Sequence, residues 1–187
     1  MNATRNLALA AACAWLFGVL PAHGQETLDF MPKGGKALLI EMLGRPLDAA
    51  ALRPIATARR SEEEWLAFLA ARKSPVSERE LRTLAGYLAV NMPVAKDTLN
   101  AAENKGDPGA ALPPDGRELA WNQCQFCHSL FTSHLTQDRD MEGWLGTFQS
   151  PFHREIKMSE RERETFARYS AVNMPMKIED VPEDLRF

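Results

Sequence analysis

The sequence predicts an all-α protein made of two copies of one helical unit. The first indication is an internal repeat, because residues 77–93 and 159–175 match at twelve of seventeen positions without a gap. The second is a set of helix starts, since Ser61, Ser77 and Ser159 each have a glutamate three residues later, the pattern of a capping box. Apolar residues after these serines follow the helical period, and no segment alternates as a half-buried strand does. Strands are therefore not expected in the core.

The repeat extends upstream and divides the chain. Trp65 and Trp144 stand at matching places, and the segment at 35–38 has a counterpart at 116–119. The residues between the copies are rich in Ala, Gly, Pro and Asp, a composition typical of a connection. The sequence predicts a first unit at 25–94, a linker at 95–112 and a second unit at 113–187.

The second unit contains a C-x-x-C-H motif formed by Cys124, Cys127 and His128. This is the attachment motif of a c-type haem, in which the thiols add to the two vinyl groups of the porphyrin and the imidazole binds the iron. A redox dithiol or a zinc site is the alternative. A redox pair needs no following His, however, and zinc needs further soft ligands, whereas the one remaining cysteine is Cys13. The motif therefore predicts covalently attached haem c.

The first unit lacks the residues that this chemistry needs. It has no Cys and no His between Gly35 and Pro93. We therefore expect a haem-free first unit and one haem per chain.

The N-terminus resembles a secretory signal at residues 1–24. Arg5 supplies its positive charge, residues 7–20 form an apolar or small run, and Ala22 and Gly24 are small residues at the cleavage positions. A membrane anchor is the alternative, but the run is shorter than the roughly 20 residues that span a bilayer. The signal predicts a periplasmic protein with no membrane span after cleavage.

Composition narrows the range of partners. The formal net charge is −3 and a quarter of the residues are charged. A mildly acidic chain without a basic stripe argues against binding to nucleic acid.

The second unit resembles the class I cytochrome c family over residues 113–175. The segment at 124–130, followed by Arg139 and Trp144, is similar to the small monohaem subunits that accept electrons from periplasmic sulfite-type molybdenum oxidoreductases. The resemblance implies two tandem cytochrome c-like helical domains, of which the first is degenerate and only the second carries haem. It also implies redox partner proteins, such as a periplasmic molybdenum oxidoreductase, and makes Arg139 a candidate partner for a haem propionate.

The second axial ligand of the iron is chosen by comparing the two copies. Met174 has a counterpart in the haem-free copy, and His134 follows the proximal His128 by only six residues. His153 lies in a segment about three residues longer than its counterpart, just ahead of the last helix, where the family carries its distal ligand. We therefore predict His153 as the ligand, with Met158 as the alternative. Five aromatic residues are candidate walls of the haem crevice: Trp121, Phe126, Trp144, Phe148 and Tyr169.

These features predict a monohaem cytochrome that transfers single electrons between a donor oxidoreductase and a downstream acceptor, as a carrier or as a subunit of that oxidoreductase. The residues identify no catalytic base, nucleophile or substrate pocket, so no enzymatic activity is expected of the chain itself. Two alternatives remain: a haem enzyme or gas-binding sensor with an open sixth position, and a structural subunit of a larger redox assembly.

Overall fold

The computed structural model describes residues 28–72, 76–125 and 127–187. Within these ranges every regular element is a helix and no strand is present, which confirms the all-α prediction. None of the helices in the described part is both long and apolar enough to cross a bilayer. The predicted signal at 1–24 lies outside the described residues.

Four α-helices form the first unit. The third and fourth helices begin after Ser61 and Ser77, and both serines form the capping boxes that the sequence predicts. Asp48 caps the second helix by accepting from the backbone N–H of Ala50. The helices are α1 at Gly35–Leu43, α2 at Ala49–Ala56, α3 at Glu62–Ala70 and α4 at Glu78–Asn91.

The segment at 95–112, which composition predicts to be a linker, is folded against the first unit. It contains α5 at Lys96–Asn104 and a 3₁₀ turn at Pro108–Ala111. Leu99 and Leu112 are buried in the same apolar cluster as the first four helices. The linker prediction overlooked the helical preference of alanine, which makes an Ala-rich segment able to pack as a helix.

Shorter helical pieces form the second unit, and they are interrupted around the C-x-x-C-H motif. A π-helical turn contains Cys124, and a second one follows His128. The segment that carries His153, expected as a loop, begins a short helix at Pro151, because proline suits the first helical position. The elements are α6 at Gly116–Leu119, π-turns at Ala120–Cys124 and Phe131–Leu135, α7 at Met141–Gly146, a 3₁₀ turn at Thr147–Gln149, α8 at Pro151–Arg154 and α9 at Glu160–Asn173.

The apolar core is divided into two clusters. One contains side chains from α1 to α5, and the other contains side chains from α6, α7 and α9 and from the segments around them. Met31, which precedes α1, lies in the second cluster. The chain before α1 therefore packs against the second unit, although it belongs to the first in the sequence. The cytochrome-like character of the two units stays a prediction.

Helices α4 and α9, the two copies of the sequence repeat, pack against each other. Buried amides join them reciprocally. Asn91 donates to Thr165 Oγ1 over 2.9 Å, and Asn173 donates to Thr83 Oγ1 over the same distance. Each asparagine also donates to the carbonyl four residues earlier in its own helix. These paired bonds relate the two units by an approximate twofold.

Two tyrosines repeat the same relation. The hydroxyl of Tyr87 donates to the carbonyl of Pro113, and that of Tyr169 donates to the carbonyl of Pro32. Each tyrosine also covers a glycine of its own unit, since a Cβ on Gly35 or Gly116 would come within 2.2 Å of a tyrosine side chain. The tyrosine of each unit is thus hydrogen-bonded to the segment that precedes the first helix of the other unit.

Candidate functional site

The C-x-x-C-H motif opens onto a cavity of about 980 Å³. Cys124, Cys127, His128 and His153 all line it. The volume stands at the upper end of the range for small-molecule and cofactor sites, which is roughly 300–1,000 Å³. Four of the predicted haem-binding residues are therefore brought together by the fold around one space.

The two thiols are separate and differ in environment. Cys124 is partly buried and Cys127 is exposed, and they form no disulfide. Burial raises the pKa of Cys124 to about 11. A thiol that acts in disulfide exchange has a lowered pKa, because the thiolate is the reactive form. Cys124 therefore lacks the lowered pKa of an attacking thiol.

The ring centroids of the His128 and His153 imidazoles lie 6.0 Å apart, in an edge-to-face arrangement with 64° between the ring planes. Metal–imidazole bonds are about 2 Å long, and a ring nitrogen lies about 1 Å from its ring centre, so two imidazoles on opposite sides of one metal have centres about 6 Å apart. The separation of the rings therefore fits a metal ion bound between them.

A hydrogen bond orients the imidazole of His153. Its Nδ1 lies 3.0 Å from the carbonyl oxygen of Thr147, which can only accept, so Nδ1 carries the proton. The Nε2 lone pair is then available. Histidines that bind metals commonly donate their other N–H to a backbone carbonyl in this way.

The methionines weighed for the distal position lie elsewhere. Met158 and Met174 are both buried in the second cluster, and neither lines the cavity. Met158 immediately precedes the α9 capping box at Ser159, and its backbone N–H donates to the carbonyl of Ile156. Of the two predicted distal ligands, only His153 borders the same space as His128.

Aromatic side chains form one wall of the cavity. Trp144 and Phe148 each lie edge-on to Phe166, and all three line it. His134 completes this wall, with its ring centroid 5.0 Å from that of Trp144 and 5.2 Å from that of Phe166. A largely apolar, aromatic wall suits the face of a large planar ring.

The other predicted crevice residues have different positions. Trp121 lines a smaller cavity of about 260 Å³ that also touches His128. Tyr169 is buried between the units and does not reach the larger cavity. Residue 126 lies outside the described residues. Arg139 lines the cavity, with its guanidinium 5.2 Å from the centre of the Trp144 ring.

Sequence reasoning missed three contributors to this site. Phe166 has no distinguishing signal in the sequence, because it matches an ordinary core position of the repeat. Thr147 contributes only its backbone carbonyl, which any residue supplies. His134 was set aside because it follows the proximal histidine closely, whereas its burial in the cavity wall depends on the π-turn at Phe131–Leu135. Such turns often mark functional sites.

Comparison with known proteins finds no match: no protein-family model fits the chain, and no curated protein or solved structure is significantly similar to it.

The residues at the cavity fit a haem. Two thiols, separated by two residues in the sequence, line the cavity. The centroids of two imidazoles lie 6.0 Å apart, the distance expected when both bind one iron. The porphyrin supplies the four remaining iron ligands, so no further metal-binding side chain is required.

Proposed function

We propose that this protein is a periplasmic monohaem c-type cytochrome that passes single electrons between a donor oxidoreductase and a downstream acceptor. In this proposal, Cys124 and Cys127 hold the haem covalently, and His128 and His153 bind its iron. The chain consists of two tandem class I cytochrome c-like units, and only the second carries haem. Its partners are redox proteins, such as a periplasmic molybdenum oxidoreductase.

The 6.0 Å separation of the His128 and His153 rings carries the proposal. These residues are 25 positions apart in the sequence, and a C-x-x-C-H motif by itself says nothing about a second imidazole. Their meeting at one cavity, with the Nε2 lone pair of His153 available, is expected of a six-coordinate iron site. Zinc would need three or four protein ligands around one point, and among the described residues no three His, Cys, Asp or Glu side chains are placed to hold a metal ion.

The bound haem supplies reversible one-electron chemistry at its iron. The residues of the chain keep that chemistry restricted to electron transfer. His128 and His153 would both bind the iron, which would leave small molecules no open site on it. Two imidazoles stabilise the ferric state more than an imidazole and a thioether do, which predicts a lower potential than that of a His/Met cytochrome. The exposed Cys127 and the half-buried His153 lie at the rim, where a partner protein can approach.

Covalent attachment and stoichiometry test this proposal directly. The protein is exported from a host that assembles c-type cytochromes, and its haem is extracted with acidified acetone. We expect the haem to stay with the polypeptide, with one iron per chain. The matched control is Cys124→Ala/Cys127→Ala, which should release or lack haem. Haem in the organic phase from the wild type, or two irons per chain, would contradict the proposal.

A further inference from the structure

Arg163, in the first turn of α9, connects that helix to the segment that carries His153. Its guanidinium lies over the ring of Phe148, with the central carbon 5.1 Å from the ring centroid. Its Nη2 donates to the carbonyls of Arg154 and Ile156, over 3.4 and 3.3 Å. Both acceptors belong to the backbone that directly follows His153, at the end of α8.

Backbone hydrogen bonds link these acceptors to His153 itself. The N–H of Ile156 donates to the carbonyl of His153 over 3.3 Å, and the N–H of His153 donates to the carbonyl of Ser150 over 3.1 Å. The imidazole is oriented separately, by the carbonyl of Thr147. Arg163 therefore acts on the backbone after His153, whereas the bonds to Ser150 and Thr147 hold the residue from the preceding side.

The α8 carbonyls are the hydrogen-bond acceptors of Arg163 within the described part of the chain. None of the ion pairs there includes this residue, and its Nε is buried without a partner. The last carbonyls of a helix lack partners within the helix, so they are available to such a donor. Hydrogen bonds from a charged donor are stronger than those between neutral groups. The two bonds therefore give α9 a specific attachment to the end of α8.

The first unit has an apolar residue at the position of Arg163. The sequence repeat matches Ser159 with Ser77, so Arg163 matches Leu81. Leu81 packs against the first apolar cluster. The fold of a unit therefore does not require an arginine here, and the arginine occurs in the unit whose segment ahead of the last helix is longer.

Two more apolar residues of the first unit are replaced by polar ones in the second. The repeat matches Ser170 with Leu88, and corresponding backbone hydrogen bonds match His134 with Ile55. Those bonds run from Met176 to Leu135 and from Val94 to Ala56. His134 and Ser170 are bonded to each other. Of the three replacements, Arg163 is the one whose bonds reach the segment that carries His153.

We propose, on the basis of the proposed haem site, that Arg163 is the positioning residue for the distal ligand. Its two hydrogen bonds hold the end of α8 so that the imidazole of His153 stays at the iron. Arg163 does not line the cavity, so it acts through the backbone of His153 and not by contact with the haem. His128 needs no such support, because it adjoins Cys127, which would be bonded covalently to the haem.

Loss of these bonds changes the balance between two states of the site. In one state His153 binds the iron, and in the other the α8 segment has moved away and the sixth position is open. A contact made only in the first state favours it by the free energy of that contact. Removing the contact therefore increases the population of the open state without removing the ligand.

Carbon monoxide binding to the ferrous holoprotein measures that population, because carbon monoxide binds only where His153 has left the iron. Arg163→Leu recreates the residue of the first unit. Arg163→Met keeps an unbranched side chain against Phe148 but has no donor, so it serves as well if the leucine variant does not fold. Both should bind carbon monoxide about tenfold faster than the wild type or more, which corresponds to about 1.4 kcal/mol. Their ferric spectra should gain a high-spin component, with covalent haem retained.

Arg168→Leu is the matched control. Arg168 is also a partly buried arginine of α9, but it pairs with Glu62 and Glu164 and makes no hydrogen bond to the α8 segment. This variant should keep the wild-type rate of carbon monoxide binding even though it loses two ion pairs. Wild-type rates in Arg163→Met, or an equal acceleration in Arg168→Leu, would overturn the inference.

Backbone hydrogen exchange of the holoprotein provides a readout that does not depend on the iron ligands. The amide of Ile156, which donates to the carbonyl of His153, should exchange faster in Arg163→Met and at the wild-type rate in Arg168→Leu. Unchanged exchange in Arg163→Met would also overturn the inference.

His153→Ala separates a failure of this inference from a failure of the proposed function. If His153→Ala opens the sixth position and Arg163→Met does not, the haem site stands and the positioning role of Arg163 is wrong. If carbon monoxide binding stays slow in His153→Ala, His153 is not the distal ligand, and the role of Arg163 at the iron is overturned with it.

Discussion

In the first unit, Ile55 and Leu88 close an apolar interior. At the matching positions of the second unit, His134 borders a cavity and is hydrogen-bonded to Ser170. The units share the features that hold them together. Both have an arginine stacked on a buried tryptophan, with Arg60 4.6 Å from the Trp65 ring and Arg139 5.2 Å from the Trp144 ring. The first unit has no C-x-x-C-H motif, so a feature present in both units stabilises the fold and is not specific to the cavity.

This comparison changes the interpretation of Arg139. The resemblance to cytochromes made Arg139 a candidate partner for a haem propionate. Since Arg60 makes the same stacking contact in a unit without Cys or His, the stack itself is a packing feature. The features found only in the second unit are the ones to associate with the cavity. They are the C-x-x-C-H residues, the short helix that bears His153, and the His134–Ser170 pair.

Removing His153 should have the largest effect, because it deletes the proposed distal ligand of the haem iron. His153→Ala should retain covalent haem but open the sixth position, giving a high-spin ferric spectrum and fast carbon monoxide binding to the ferrous protein. Optical spectra and stopped-flow carbon monoxide binding measure this.

Met158→Ala is the matched control, because Met158 is buried in the second cluster and does not line the cavity. It should keep the low-spin spectrum and bind carbon monoxide slowly. If Met158→Ala instead gave the high-spin protein, the distal ligand would be Met158. Fast carbon monoxide binding by the wild type would favour an enzyme or a sensor over an electron carrier.

The reciprocal amides should contribute equally, which tests the approximate twofold. Asn91→Ala and Asn173→Ala each remove a buried hydrogen bond between the units and leave a threonine hydroxyl with one partner fewer. Each should reduce the free energy of unfolding by about 1–3 kcal/mol. Chemical denaturation of the two variants measures the values. A difference larger than about 1 kcal/mol would show that the two bonds are not equivalent.

The smallest change in stability is expected from a substitution of Asp115. This residue lies near the approximate twofold, at a position where the two units carry different residues. Its carboxylate caps α6 by accepting from Glu118 N–H, and it also accepts from Ala37 N–H in α1 over 3.3 Å. The matching residue is Gly34, where a Cβ would come within 2.1 Å of the Asp115 carboxyl group. A single buried carboxyl group therefore serves the first helix of both units.

Burial raises the pKa of Asp115, and the nearby Glu118 raises it further. The folded protein therefore holds this proton more tightly than the unfolded chain does. The resulting stability is present below the unfolded pKa of about 4 and is lost as the pH rises through the folded value. Asp115→Asn keeps a capping oxygen without the charge, so the wild type should lose about 1 kcal/mol relative to it between pH 4 and 7. Denaturation at both pH values measures this, and a constant difference would contradict it.

Local patterns allowed much of the fold to be predicted. The capping boxes at Ser61, Ser77 and Ser159 mark helix starts because the stabilising bonds join residues only three positions apart. The packing of the segment at 95–112, predicted as a linker, escaped sequence reasoning for the complementary reason. Composition describes the flexibility of an isolated segment, but burial of Leu99 and Leu112 depends on a surface that other helices create.

The sequence by itself determined the all-α class, the repeat and the C-x-x-C-H motif, since each is a matter of residue type and short-range spacing. It also narrowed the distal ligand to His153 or Met158. Only the tertiary structure brought His153 to the cavity of His128, buried Met158 elsewhere, and joined His134 to Ser170 across 36 residues. These contacts depend on how α7, α8 and α9 pack around the motif. Packing among elements distant in the chain is decided by the whole core, and no local pattern records it.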